Sequence, residues 1–537
     1  MSTPLQALTH GTSGLAIAYL LVLAGSVAAL ARARAGVHKY FLALLWTFPL
    51  LLVVAACTAW LSHGWMQTMA GLLVALSIGF GGGQVLVHWR PAREPEHRRG
   101  AVVSSVPIEE SRDEHSAAPI TLARVRVPLL DEAKHFKIIG TTGTGKSTAI
   151  REILDAALAR GDRAIIADPD GGYLKRYYDP DRGDVILNPF DSRSRKWDLF
   201  GEIAADHDID ELARALIPDP ADDDRIWTGY ARTLFSQVVR QMRSVGQCDA
   251  RQLARLVNRA GDDELRMMME DTPAARFFKE DSGKMLASTQ TVLASAMAIY
   301  EYIVQQEGAP LSVRSWVREG RSVSNGGRGG VLFLPYKAGE IAALRQLIST
   351  WMRLGIFEAM NREEGDQRLW FILDELDALG KIDGLKDALA RLRKFGGRCV
   401  LGFQSIAQVW GVHGRSDAET IVENCGNTLI LRCSASERGG TSEFASKLIG
   451  QREVIHTTVS TTRRSGEWRS STSKSEQIRI EPAVMASEIE RLPDFTGYLK
   501  IASMPDWRLT QLAQLTLEPQ SKAPDVRDPR ILGITPP

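Results

Sequence analysis

At 537 residues the chain is too long for a single ordinary domain, and three or four folding units are expected. Its 65 Lys and Arg balance 64 Asp and Glu, so global charge gives no sign of nucleic acid and any basic surface must be local. Five cysteines (Cys57, Cys248, Cys399, Cys425, Cys433) show no CxxC spacing, which points to free thiols in a reducing compartment and away from a disulfide framework or a zinc site.

Three apolar stretches open the chain, at residues 14–31, 40–61 and 69–89. Each is close to the roughly 20 residues that cross a bilayer core. Residues 1–13 contain no Lys or Arg, so the first stretch lacks the basic n-region of a cleaved signal peptide. Arg32, Arg34 and Lys39 separate the first two stretches, and Arg90, Arg93, Arg98 and Arg99 follow the third. The link "SHGWMQT" carries no basic residue. Both basic connections are cytoplasmic only if three helices cross with the N-terminus outside. The expectation is a multi-pass transmembrane region over 1–90, with the rest in the cytoplasm. Two spans, with the first segment lying in the interface, is the alternative. Trp60, Trp65 and Trp89 fit an interfacial belt. Residues 91–119, charged and containing Pro and Ser, read as a cytoplasmic linker.

Next comes "HFKIIGTTGTGKSTAI", in which Gly140–Ser147 fits G-x-x-x-x-G-K-[ST]. "FKII" reads as a short buried strand. Ile150, Ile153, Leu154, Ala157 and Leu158 recur at helical spacing up to Gly161. Glycines let backbone N–H groups approach phosphates, and the helix N-terminus adds partial positive charge. The expected nucleotide cradle is Gly140, Thr141, Thr142, Gly143, Thr144, Gly145, Lys146, Ser147 and Thr148. In it Lys146 reaches the β- and γ-phosphates and Ser147 is a ligand to Mg²⁺.

"IADPDGG" (166–172) and "VILNPFD" (185–191) read as the first part of an α/β sheet, which resumes at "GGVLFLPY" (329–336). Between them, residues 206–314 are rich in helix formers and read as an inserted all-α domain. The nucleotide-binding domain is then 120–205 together with 315–515. More than two hundred residues separate Lys146 from "RLWFILDELDALG", whose Asp374 and Glu375 end a buried strand where ligands collect in parallel sheets. Asp374 is expected in the Mg²⁺ shell. Glu375, pointing the other way, is expected to polarise the attacking water. The following strand, "GRCVLGFQS", ends in Gln404, a candidate sensor of the γ-phosphate.

Two segments supply local basic surface of the kind that phosphate contact needs. "ARLRKFGGR" supplies Arg391, Arg393, Lys394 and Arg398, close to the Asp374 strand, so that nucleotide state could move them. "TTVSTTRRSGEWRSSTSKSEQIRI" supplies Arg463, Arg464, Arg469, Lys474 and Arg479, with alternation suggesting a hairpin with a long tip. Arg432, Arg438 and Arg452 are candidates for an arginine given to a neighbouring subunit's site. Residues 516–537 read as a flexible Pro-containing tail.

The order of apolar spans, "GTTGTGKS", "DPDGG", "ILNPFDSRSRKWDLFGEI", "RIWTGYARTLF", "LWFILDELDALGKIDGLKDALARLRKFGGRCVLGFQSIAQV" and "LPD" resembles the type IV coupling proteins of conjugation, of the TrwB and TraD kind, from Ile120 to about Leu509. The resemblance implies a RecA-like P-loop ATPase using ATP and Mg²⁺, with its all-α domain facing the cytoplasm. It also implies a homo-hexameric ring with ATP at subunit interfaces, anchored in the inner-membrane lipid. Such proteins pump the transferred DNA, single- or double-stranded, into a type IV secretion channel and recruit the relaxase bound to it. Relatives usually have two spans, so three would be a departure. One alternative is a chromosome pump of the FtsK type, disfavoured because only the tail follows the motor where those proteins carry a winged-helix module. Another is a docking receptor in which ATP only regulates assembly.

Overall fold

The computed structural model describes residues 19–32, 39–45, 47, 74, 76–85, 96–104, 119–219, 225–279, 282–320, 329–361, 368–437, 439–462 and 471–513. The chain divides into two compact units, 1–96 with 455–477, and 97–454 with 478–537.

In the first unit, residues 19–32, 39–45 and 76–85 are helical. About half of the residues in the expected spans lie outside the described ones, and among those described no helix is long and apolar enough to cross a membrane. Two of the helices meet through small residues. A Cβ on Gly79 would stand 2.2 Å from the Val22 carbonyl oxygen, and one on Gly25 2.5 Å from that of Leu76. Buried Ser26 donates across the contact to the Gly79 carbonyl at 2.9 Å. Small residues and an interhelical hydroxyl bond let helix backbones approach closely.

In the second unit, ten described strands form one sheet. Seven run parallel, in the spatial order Asn427–Ile430, Phe136–Ile139, Gly397–Phe403, Leu369–Leu373, Arg163–Pro169, Val331–Tyr336 and Val185–Ile186. Thr496–Lys500 and Trp507–Gln511 extend it antiparallel, and Val103–Ser104 closes that edge. The central strands are buried along nearly their whole length, as strands covered on both faces must be. Their side chains alternate between two cores. Phe136, Ile138, Ile166, Trp370, Ile372 and Val400 pack with the helix Lys146–Ala159, through its Ile150, Ile153 and Leu154. Ile139, Ile165, Phe371, Leu373 and Leu401 face the other way, toward the helix Ile341–Ala359.

All described elements from His207 to Gln305 are helical. This segment leaves the sheet after Val185–Ile186 and returns before Val331–Tyr336. Its core is continuous with one face of the sheet: Trp197 meets Tyr300 and Trp351 edge-on, with ring centroids 6.1 and 5.9 Å apart. Buried Glu202 locks the return. It accepts from the Trp197 indole (2.8 Å), the Ser312 hydroxyl (3.0 Å) and the amides of Val313 and Arg314 (2.6 and 3.0 Å).

Glu96–Gly100, Gln451–Thr462 and Ser471–Pro482 form a separate three-stranded sheet in that order. The last two are the arms of the expected hairpin, and its tip, with Arg463, Arg464 and Arg469, lies outside the described residues.

Candidate active site

The 14-residue helix Lys146–Ala159 begins at Gly145, whose φ of 114° suits glycine alone. A Cβ there would also press on Leu512 (2.9 Å) and Phe495 (3.0 Å). No side chain caps this helix, so its first amides face the cavity as an anion site. The cavity measures about 340 Å³ and is lined on this side by Thr142, Gly143, Gly145, Lys146, Ser147 and Thr148. Gly140, Thr141 and Thr144 brace the loop from behind. The Thr144 hydroxyl donates to the Thr141 carbonyl (2.7 Å), and the Thr141 amide and hydroxyl both donate to the Arg432 carbonyl (2.9 and 3.2 Å). Lys146 Nζ donates to the Gly140 carbonyl at 2.9 Å. Burial pulls the Lys146 ammonium below the ordinary lysine value, against the opposing effect of the Asp374, Glu375 and Asp377 carboxylates.

Lys146 and Asp374, far apart in the chain, meet because the Gly397–Phe403 strand sits between theirs in the sheet. Ser147 donates to Asp374 Oδ2 at 2.7 Å, and so does the Tyr173 hydroxyl at 2.9 Å. Asp374 Oδ1 is buried and has no hydrogen-bond partner among the described residues. A hydroxyl and a carboxylate oxygen are hard donors of the kind Mg²⁺ takes. Among the described residues no cluster of three acidic, His or Cys side chains could hold a metal, so a cation here would share its shell with phosphates and water. The donor set and the orphaned oxygen fit that arrangement.

The intervening strand delivers Gln404 between the loop and the acid. Thr142 donates to Gln404 Oε1 at 2.8 Å, and Gln404 Nε2 donates to Glu375 Oε1 at 2.7 Å. Burial, and then the Asp374 charge, raise the Glu375 carboxyl above the ordinary glutamate value, while the Gln404 bond opposes this. Gly402 makes the approach possible, because a Cβ there would lie 2.2 Å from the Asp374 carbonyl oxygen.

The basic run behaves differently from the sequence expectation. Arg391, Arg393 and Lys394 are exposed, but they precede the central Gly397–Phe403 strand and so lie at the N-terminal ends of the parallel strands, opposite the end that carries the cavity. At about 3.3 Å per strand residue, roughly 20 Å separates them from Gln404. They adjoin the start of the Leu369–Leu373 strand, where the Leu369 amide donates to the Gly396 carbonyl at 3.2 Å, and not its Asp374 end. Arg398 is corrected outright: it is buried, donates to Glu132 Oε2 at 3.1 Å and to the Gly396 carbonyl at 2.7 Å, and lies over the Trp370 ring. Glu132 also takes a two-pronged bond from Arg160, so this guanidinium belongs to a closed ionic network and faces no solvent phosphate. Of the subunit-bridging candidates, Arg432 pairs with Asp494 at 2.6 Å and Arg452 with Glu481 at 2.9 Å. Arg438 lies outside the described residues.

Six cavity residues were not among the expected site residues: Arg151, Tyr173 and Phe495, together with Pro169, Asp170 and Gly172 of the "DPDGG" segment. Arg151 stands four residues after Ser147, on the same helix face, which is a signal that helical spacing carries. Tyr173 and Phe495 carry no local signal of this kind.

A family model described as the type IV secretion-system coupling protein DNA-binding domain matches residues 119–511. Coupling protein TraD of Escherichia coli (strain K12) is 31% identical over 373 residues, 69% of this chain. The chain spans about half, 51%, of that relative's length. Among solved structures, plasmid coupling protein TrwB with ADP and Mg²⁺ matches at 31% identity and TM-score 0.66, covering 76% of this chain and 91% of that one. TrwB with the non-hydrolysable ATP analogue ADPNP matches at 30% identity and TM-score 0.68, covering 81% and 98%.

Proposed function

This chain belongs to the type IV secretion-system coupling protein family, and on that premise we propose that it is an ATPase that drives DNA toward a conjugative secretion channel. The observation that carries the reading is the convergence of Lys146, Ser147, Asp374, Gln404 and Glu375 on one cavity. In this reading the uncapped helix amides and Lys146 hold the ATP phosphates. Ser147 and Asp374 hold Mg²⁺, which when bound neutralises charge on the phosphate oxygens. Glu375 orients the attacking water and accepts its proton. Its raised carboxyl suits a base working nearer neutral pH. Gln404 touches both the loop and the base, so it is placed to couple the state of the γ-phosphate to Glu375. The TrwB complexes with ADP and Mg²⁺ and with an ATP analogue support this assignment by similarity.

Residues 14–31, 40–61 and 69–89 anchor the protein as three inner-membrane spans, with the motor in the cytoplasm. Their length, flanking basic residues and close packing at Gly25, Ser26 and Gly79 support this placement. Six copies form a ring around the DNA, and the relaxase and channel proteins are its protein partners. Exposed Arg391, Arg393 and Lys394 are the phosphate contacts we assign within the described residues.

The test is ATP hydrolysis by the full chain with and without single-stranded DNA at low salt, with Glu375→Gln as the control. Hydrolysis that DNA stimulates and the substitution abolishes is expected. Hydrolysis indifferent to DNA would favour the docking-receptor role, and full activity in Glu375→Gln would remove the site assignment.

A further inference from the structure

The segment Asp168–Tyr173 borders the cavity without belonging to the P-loop or to the Asp374 strand. Its backbone makes an abrupt turn. Asp170 (φ 56°) and Gly171 (φ 66°) are consecutive left-handed residues that lead from the strand Arg163–Pro169 into the helix Gly172–Tyr177. For Asp170 that conformation costs on the order of 1 kcal/mol, so the surroundings must hold it. Asp168 does so. Fully buried, it accepts from the amides of Tyr173 (3.0 Å) and Leu174 (2.7 Å) and fixes where the helix starts.

The result is a tyrosine with 1% exposure whose hydroxyl ends 2.9 Å from Asp374 Oδ2. The Arg151 guanidinium covers its ring, 5.6 Å from the centroid. Asp374 Oδ2 therefore has donors on two separate elements, Ser147 and Tyr173, while buried Oδ1 has none among the described residues. A carboxylate pinned at one oxygen from two directions cannot rotate, and its other oxygen keeps one position. Ser147 is the donor that a cation would also engage, and Tyr173 is independent of the cation.

We propose that Tyr173 is a positioning residue that holds Asp374 in the orientation needed to receive the Mg²⁺ of a bound nucleotide. The inference rests on the reading of this cavity as a Mg²⁺–nucleotide site. It gives the turn at Asp168–Gly172 a purpose that packing alone does not require, since phenylalanine would fill the same volume. Partners behind a metal ligand typically affect metal affinity by about 10- to 100-fold.

The test uses the full chain and Tyr173→Phe, with Mn²⁺ as the spectroscopic probe. Mn²⁺ binding to the protein–ADP complex, followed by electron paramagnetic resonance, should weaken by about 10- to 100-fold in the variant. ADP affinity measured in EDTA should stay unchanged, which also reports that the variant is folded. Unchanged Mn²⁺ affinity overturns the proposal. So does an equal loss of ADP affinity in EDTA, which would make Tyr173 a general prop. Failure of the unsubstituted protein to bind ADP at all would instead bring down the nucleotide-site reading, and this inference with it.

Discussion

At the scale of single residues, Gln404 shows what position does to an ordinary side chain. Its amide oxygen accepts from Thr142 and its amide nitrogen donates to Glu375, so one side chain spans loop and base. Donation to a carboxylate favours the charged form. Gln404→Ala removes that help and leaves burial and Asp374 to raise Glu375 further. The acid limb of the pH profile for ATP hydrolysis should therefore move to higher pH in the variant, with activity near pH 6 falling more than activity near pH 8. A limb that stays in place would separate Gln404 from Glu375. Lys146, Ser147, Asp374 and Glu375 were legible because each sits in a short motif whose neighbours set its direction. Tyr173 was not, because its partner is 201 positions away and only the sheet order joins them. Arg398 was misread for the same reason: its role depends on Glu132, 266 positions earlier.

At the scale of elements, the basic run splits in two. Arg398 enters the strand and is buried, while Arg391, Arg393 and Lys394 stay in the preceding helix end and turn, in solvent. Arg398 already falls within the strand read from "GRCVLGFQS", but charge spacing does not show that this position is buried against Glu132 and Trp370, and that burial decides which cations stay wet. Replacing Arg391, Arg393 and Lys394 together by Ala should lower DNA affinity and reduce the salt slope of log K by roughly 2 to 3, as loss of three phosphate contacts requires. Basal hydrolysis without DNA should be unchanged, given the distance to Gln404. An unchanged salt slope would return these residues to a plain solvated face. The helical segment 207–305 was legible as helix from its composition. That its core continues into the sheet through Trp197, Tyr300 and Trp351 was not, since those three residues come from separate stretches.

At the scale of the whole molecule, folding stability carries its own signature. Burial, and then nearby Lys381, hold His413 neutral with its pKa pulled down to about 4, against the smaller effect of Asp417. The unfolded chain takes up that proton near the ordinary value of about 6.5. Between those values the unfolded state binds more protons, so this histidine makes stability fall as pH falls from about 6.5 to 4. Asp168, pushed up to about 7 by burial, acts in the opposite direction over much of the same range. A difference measurement isolates the histidine. Relative to the unsubstituted protein, His413→Gln should gain stability on acidification through this window, by up to about 3 kcal/mol at about 1.4 kcal/mol per pKa unit. Urea unfolding across the range would read it, and a pH-independent difference would mean that His413 titrates normally when folded. The sequence by itself determined the family, the phosphate loop, the acidic pair and the helical character of the insert, because motif spacing and periodicity are local and the backbone expresses them directly. Only the tertiary structure decided which oxygen of Asp374 is held, that Gln404 bridges loop and base, and which arginines reach solvent. Those outcomes follow from the lateral order of strands, which brings together residues that no local pattern relates.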